Sequence, residues 1–307
     1  MAAPLVVSVP GRTLLEGLAP LVEAVEFVEW DVSGPAPRSE IDIVVPPYMG
    51  GTERFGLLGT TRSRLVQSQS IGYDGVEEVL PPGIVFANAA TVHETSTAEL
   101  TVALILAAQR GIPDFVRAQD AGRWEPARLA SLADRRVLLI GYGGVGKAIE
   151  ERLRPFEVEI VRVASRARDE DAGHVHGMDE LPDLLPGADI VVLGVPLTDG
   201  TRGLADAAFL AAMADGALLV NIARGPVVDT AALVAELASG RLRAALDVTD
   251  PEPLPPGHPL WSAPNLLISP HVGGATSAMM PRAIRLIAEQ IRRMQAGEEP
   301  LNVVLRT

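Results

Sequence analysis

From Arg136 onward, short aliphatic runs alternate with helix-length segments: RVLLIG, VEIVRV, DIVVLGV, ALLVNIA, RAALDV and NLLISP are separated by pieces such as GKAIEERLRPF, ELPDLL, DAAFLAAMADG and DTAALVAELASG. Valine, isoleucine and leucine fall on both faces of each run, so neither face can be left to water. The pattern predicts a parallel sheet covered by helices on both sides, a doubly wound α/β domain whose ligands gather at the carboxyl ends of the strands. The first ninety residues hold further strand-like runs (LVVSVP, VEFVEW, IDIVVPP, RLVQSQS, GIVFAN) separated by turn-rich pieces such as SGPAPRSE, which predict a second, smaller α/β domain. Glu94 to Arg110 reads as a long, largely buried helix with a Thr/Ser-rich start, and the crossover between domains is placed there. Near the other end Ile284, Ile287, Ile291 and Met294 recur at helical spacing, and LNVVL follows as a returning strand. The expected division is therefore 1–94 with 279–307, a discontinuous domain, and 95–278 between them.

GYGGVG follows the strand RVLLI and opens a helix, which is the context that gives a glycine triplet meaning. Gly141 permits the tight turn, Gly143 lets the backbone approach a pyrophosphate, and Gly146 lets helix and strand pack closely; Gly144 and Val145 begin the helix whose free N–H groups face the anion. A bound dinucleotide is the expectation. Elsewhere the composition mostly excludes. A net charge of −13 repels nucleic acid and anionic membrane surfaces, and no apolar stretch approaches the roughly 18 residues of a membrane span. Without cysteine there is no disulfide framework or thiolate metal site, and metal ligation is poorly supplied, so no metal is expected; the reading is a cytoplasmic protein. Of the 26 basic residues only Lys147 is lysine, which makes any single arginine weak evidence of function.

Three further stretches stand at strand ends: VNIARGPVVD (220–229), ALDVTDPEPLPPGHPLW (245–261) and ISPHVGGAT (268–276). With GYGGVG, and with QSIGYDGVEEV, TAEL, GRW and VPLTDGTRGL elsewhere, they closely resemble the D-2-hydroxyacid dehydrogenase family, which contains glyoxylate and hydroxypyruvate reductases. The resemblance covers nearly the whole chain and is strongest from Arg136 to Thr276. It implies a Rossmann cofactor domain inserted into a smaller, flavodoxin-like substrate domain, and a homodimer. It implies that Arg224 binds the carboxylate and 2-oxo oxygens of the substrate, a task suited to a planar fork of donors. His271 would exchange the proton at the substrate oxygen, and Glu252 would favour its imidazolium form. Asp250 is near enough in sequence to be the partner instead, but the family's Pro-Glu-Pro puts the role on Glu252. Asp247 matches an acid at the nicotinamide carboxamide. Thr97 and Pro196 match positions on the nicotinamide side, Ala223 and Gly273 join the cofactor set, and the backbone N–H groups of Ile71 and Gly72 would receive the substrate carboxylate. Tyr48 and Met49 could shape the pocket. The other histidines (His93, His174, His176, His258) read as satisfied polar residues.

The implied activity is hydride transfer between NADP(H) and a small 2-oxo or 2-hydroxy carboxylate of D configuration, with glyoxylate or hydroxypyruvate first. The alternatives are a dinucleotide-sensing protein resembling the C-terminal binding protein corepressors, or a phosphite-type dehydrogenase. The cofactor expectation turns on the end of VEIVRV. An acid there would accept the ribose hydroxyls and select NAD(H), but the position falls on Ala164, followed by Ser165 and Arg166, which offer a hydroxyl and a cation to a 2′-phosphate, with Arg168 as reinforcement. A longer strand would instead bring Asp169 or Glu170 to the ribose and favour NAD(H); SRARDEDAG reads as loop.

Overall fold

In the first ninety residues, successive strand positions feed opposite cores. Ile43 and Leu65 join one cluster, with Leu14, Leu18 and Ile287, while their neighbours Val44 and Val66 join another, with Trp30, Phe55 and Phe86. The computed structural model describes residues 4–307 and divides into two units, Met1–His93 with Thr276–Thr307 and Glu94–Ala275. The first begins with strand β1 (Leu5–Val9), helix α1 (Arg12–Leu18) and strands β2 (Val25–Glu29), β3 (Ile43–Val44), β4 (Leu65–Gln67) and β5 (Val85–Ala87). These strands lie in the order 2-1-3-4-5, all parallel, which is the flavodoxin-like arrangement.

The second unit opens with α2 (Glu94–Gln109) and α3 (Ile112–Asp120), then β6 (Arg136–Ile140), α4 (Gly144–Leu153) and β7 (Glu159–Val163). A hairpin follows, β8 (Arg168–Glu170) and β9 (Gly173–His176), and then α5 (Leu181–Leu184), β10 (Ile190–Leu193), α6 (Ala207–Ala212), β11 (Leu218–Asn221), α7 (Thr230–Ala238), β12 (Arg243–Leu246) and β13 (Leu266–Ile268). Its sheet runs β13-β12-β11-β10-β6-β7-β9-β8, parallel except where β8 pairs antiparallel with β9. The chain order reverses between β6 and β10, the topological switch point at which a Rossmann domain opens its crevice. Leu138 and Ile140 of β6 pack into one core with Phe209, Leu233 and Leu237, whereas Val137 and Leu139 pack into the other with Ile105, Ile149 and Leu153. Helices α2 and α4 therefore cover one face and α5 to α7 the other, as the doubly apolar strands predict.

The chain then returns to the first unit through α8 (Met279–Ala296) and β14 (Val303–Arg306), which pairs antiparallel with β5. Ile284, Ile287, Ile291 and Met294 all pack into the core beside β1 and α1. A buried amide pair fixes the return: Gln290 donates to Gln67 Oε1 at 2.6 Å and to the Leu301 carbonyl at 2.9 Å, while its own oxygen accepts the Leu301 N–H at 2.9 Å. The structure corrects the sequence reading at SRARDEDAG. Arg168–Glu170 is a strand, not loop, because it gains a ladder with Gly173–His176 whose one buried side chain is Val175.

Candidate active site

The glycine loop is built by exclusion. Gly141 has φ +107, and a Cβ there would lie 2.4 Å from the Gly194 carbonyl oxygen; a Cβ at Gly146 would lie 2.3 Å from the Gly141 carbonyl oxygen. Both positions exclude every side chain, so β6, β10 and α4 meet backbone to backbone. Gly143 differs: nothing lies within 4 Å of its Cβ position, and it caps α4 without a side-chain hydrogen bond. The first amide of the turn with an intrahelical acceptor is Lys147, donating to the Gly143 carbonyl at 2.9 Å. Uncapped amides opening onto a space kept clear by a missing side chain fit a pyrophosphate.

Beneath the loop, Tyr142 donates to Glu150 at 2.7 Å, and Arg162 of β7 and Arg154 close on the same carboxylate. Burial alone would raise the Glu150 carboxyl, but the hydrogen bonds from Arg162, Tyr142 and Arg154 bring it from 4.5 down to about 2.

Three loops at the carboxyl ends of β11, β12 and β13 carry the Arg, Glu and His of the sequence. After β11, Asn221 makes an Asx turn: its Oδ1 accepts the Ala223 N–H and its Nδ2 donates to the Arg224 carbonyl, each at 3.0 Å. Arg224 is thereby held extended, at φ −147 and ψ 148, with its guanidinium donating to the Ala223 carbonyl at 2.7 Å. The next residue, Gly225, lies so close to the loop after β12 that a Cβ would meet the Thr249 carbonyl oxygen at 1.9 Å.

In that second loop, cis peptides precede Pro251 and Pro253 and flank Glu252. Glu252 Oε1 accepts from His271 Nδ1 at 2.5 Å, so the two residues are brought together, whereas Asp250 is exposed and has no side-chain partner among the described residues. Burial pushes the Glu252 carboxyl up, but the hydrogen bond and charge of His271, with a contribution from Arg224, hold it below the usual carboxylate value. His271 has φ +52, unusual for a side-chain-bearing residue, and Asp247 enforces it. Only 3% exposed, Asp247 accepts Ser269 Oγ at 2.6 Å and the N–H groups of Val272 and Gly273 at 2.9 Å, while its carbonyl accepts the His271 N–H at 2.7 Å. Asp247 is thus the organiser of the loop that presents His271, a role the sequence did not suggest. Asn221 was also missed; its signal was an Asx residue at a strand end ahead of Arg-Gly.

The remaining candidates lie apart or lack side-chain partners. Thr97 of α2 approaches Gly273, whose Cβ would sit 3.4 Å from its hydroxyl, and the Pro196 carbonyl accepts Thr201 Oγ1 at 2.6 Å. Ala164 is buried at the end of β7, while Ser165 and Arg166 are exposed. Arg168 is committed to Glu170 at 2.7 Å and to the Tyr142 carbonyl at 3.1 Å. In the first unit, Asn88 ties down the Ile71 carbonyl at 2.9 Å, and the Ile71 and Gly72 amides donate to no acceptor among the described residues. A cavity of about 110 Å³ there is lined by Arg54, Ser70, Gly72 and Asp74 among others. Tyr48 stacks on His93 with ring centroids 5.4 Å apart, and Met49 is 53% exposed.

A Rossmann sheet with an open glycine loop at its switch point and an imidazole–carboxylate pair at neighbouring strand ends defines a nicotinamide-dinucleotide oxidoreductase. Residues 102–273 match the NAD binding domain of the D-isomer specific 2-hydroxyacid dehydrogenases. The glyoxylate reductase/hydroxypyruvate reductase of Homo sapiens is 33% identical over 290 residues, covering 88% of each chain. The glyoxylate reductase of Thermofilum pendens is 36% identical over 248 residues, 77% of this chain and 73% of its own. The crystal structure of a D-isomer specific 2-hydroxyacid dehydrogenase from Xanthobacter autotrophicus Py2, in complex with NADPH and MES, superposes with a TM-score of 0.85 at 31% identity, over 99% of this chain and 98% of that one. The chain belongs to the D-isomer specific 2-hydroxyacid dehydrogenase family.

Proposed function

We propose that the protein reduces a small 2-oxo acid, glyoxylate or hydroxypyruvate first, with NADP(H) preferred over NAD(H). The observation that carries the chemistry is the 2.5 Å contact of His271 Nδ1 with Glu252, on strand-end loops beside Arg224. With Nδ1 turned to the carboxylate, Nε2 is the ring atom left to hold a proton for the substrate oxygen, and the anionic Glu252 favours the charged ring. The nicotinamide supplies hydride to the carbonyl carbon when bound. Arg224 holds the carboxylate and carbonyl oxygens as a fork, the Ile71 and Gly72 amides receive the carboxylate, and Asp247, Ala223, Pro196 and Gly273 line the cofactor. In this reading Glu94–Ala275 is the cofactor unit and the discontinuous unit is the substrate unit.

Preference for NADP(H) is supported by the end of β7. The strand stops at Val163, so the longer register is not adopted, and both acids of that register are engaged: Asp169 pairs with His174 at 2.7 Å, and Glu170 with Lys147 at 2.7 Å. Ser165 and Arg166 are then the exposed groups following the strand, and the Xanthobacter relative holds NADPH. A homodimer is supported by an apolar surface on and after α3, where Ile112, Phe115, Val116 and Leu129 are exposed and Trp124 is 95% exposed. No helix among the described residues is long and apolar enough to cross a membrane, and a cysteine-free chain suits the reducing cytoplasm in which we place it. The test is a steady-state panel of glyoxylate, hydroxypyruvate, other 2-oxo acids and phosphite with NADPH and with NADH. Turnover of glyoxylate or hydroxypyruvate is expected; cofactor binding without turnover would favour a dinucleotide sensor, and oxidation of phosphite alone would overturn the substrate class.

A further inference from the structure

At the outer end of the larger sheet, away from the strand-end loops, four polar residues converge on the β8–β9 hairpin. His174 and His176 are two apart on β9, so both side chains leave on one face, and their rings meet edge to face with centroids 4.7 Å apart. Glu180, in the 3₁₀ turn after β9, sets Oε2 2.7 Å from His176 Nδ1, while its other oxygen accepts the Gly177 N–H at 2.8 Å. Asp169 faces His174 across the hairpin and sets Oδ1 2.7 Å from its Nδ1. One ligand-type atom from each of His174, His176 and Glu180 lies within 4.8 Å of the other two.

We propose that His174, His176 and Glu180 form a binding site for a divalent transition ion of the zinc type, with Asp169 orienting His174 from outside. Two ring nitrogens and a carboxylate oxygen are a donor set for zinc or its first-row neighbours, whereas magnesium and calcium call for oxygen alone. Ligand atoms around a tetrahedral zinc sit about 3.4 Å apart, so closing the trio from 4.8 Å moves each atom by less than about 1 Å. A carboxylate on Nδ1 fixes the tautomer and aims Nε2 outward, the outer support that metal-binding histidines use. Ordinary ion pairing accounts for each histidine and its carboxylate separately, but not for both rings and Glu180 being gathered at one point. The Ala164 N–H donates to the His176 carbonyl at 3.0 Å, so an ion here fastens the hairpin beside the end of β7.

The test is a titration of the full-length, tag-free protein with Zn²⁺ by calorimetry and with Co²⁺ by visible absorption. One ion per chain is expected, with tetrahedral cobalt bands. Affinity should fall about tenfold or more in His176→Ala and in His174→Gln, and by a similar factor in Asp169→Asn. His258→Ala, on a separate turn, should bind as the wild type does, and circular dichroism confirms that each variant is folded. Absence of saturable binding, binding that survives both histidine substitutions, or binding lost in His271→Ala instead, overturns the site.

Discussion

Asp247 serves more donors than a carboxylamide could, and through them it holds His271 in a left-handed backbone conformation opposite Glu252. The consequences are separable by kinetics. His271→Ala should lower turnover by roughly 10²-fold or more while leaving cofactor affinity nearly intact, because the ring is assigned to the proton and not to the dinucleotide. Glu252→Gln removes the charge that favours a protonated ring, so the alkaline fall of 2-oxo acid reduction should move to lower pH; an unshifted profile takes Glu252 out of the mechanism. Gly225→Ala probes the same loops from the other side. A methyl 1.9 Å from the Thr249 oxygen forces two backbones apart, which should cost about 1–3 kcal/mol, read as a lower Tm, together with a loss of kcat as Glu252 is carried away from His271. A variant that melts and turns over like the wild type contradicts that coupling.

At the scale of elements, β7 and the hairpin beside it decide the cofactor. A charge-assisted contact from Arg166 to a 2′-phosphate is worth ~1.5–3 kcal/mol, roughly ten- to a hundredfold in kcat/KM for NADPH over NADH. Arg166→Ala should erase most of that ratio; a wild type preferring NADH, or a variant with its preference undiminished, refutes the assignment. What could be read in advance follows a physical division. The central strands were legible because both faces are apolar, and Gly141 and Gly146 because their neighbours leave no room for a side chain. Arg224, Glu252 and His271 were legible as a family pattern, although only folding shows that Glu252, not Asp250, reaches the ring. The β8–β9 hairpin was hidden because it is short, charged and at a sheet edge, with Val175 as its one apolar anchor. Asn221 and Asp247 were hidden in their structural roles because an Asx residue at a strand end looks the same whether it builds a loop or meets a ligand.

For the molecule as a whole, acid is the informative stress. Glu150 has its carboxyl lowered from 4.5 to about 2, so its stabilising share is fully present above pH 4.5 and is lost as pH falls toward 2. Glu150→Gln should therefore be destabilised at neutral pH, by about 3–5 kcal/mol because Arg162 loses its buried partner, and the gap in Tm between the two proteins should narrow across that acid window. A constant gap would deny the carboxylate this role. Assembly is tested separately: Trp124→Glu, placed in the exposed apolar segment, should convert the homodimer into monomers in sedimentation, and an unchanged mass would locate the interface elsewhere. The chain's reliance on arginine has a practical side as well. Lys147 carries the only side-chain primary amine, half exposed on the first turn of α4 and paired with Glu170. Amine-directed labelling of a side chain can thus reach a single address, so a fluorophore or cross-linker could be installed beside the glycine loop of the natural protein without altering one codon.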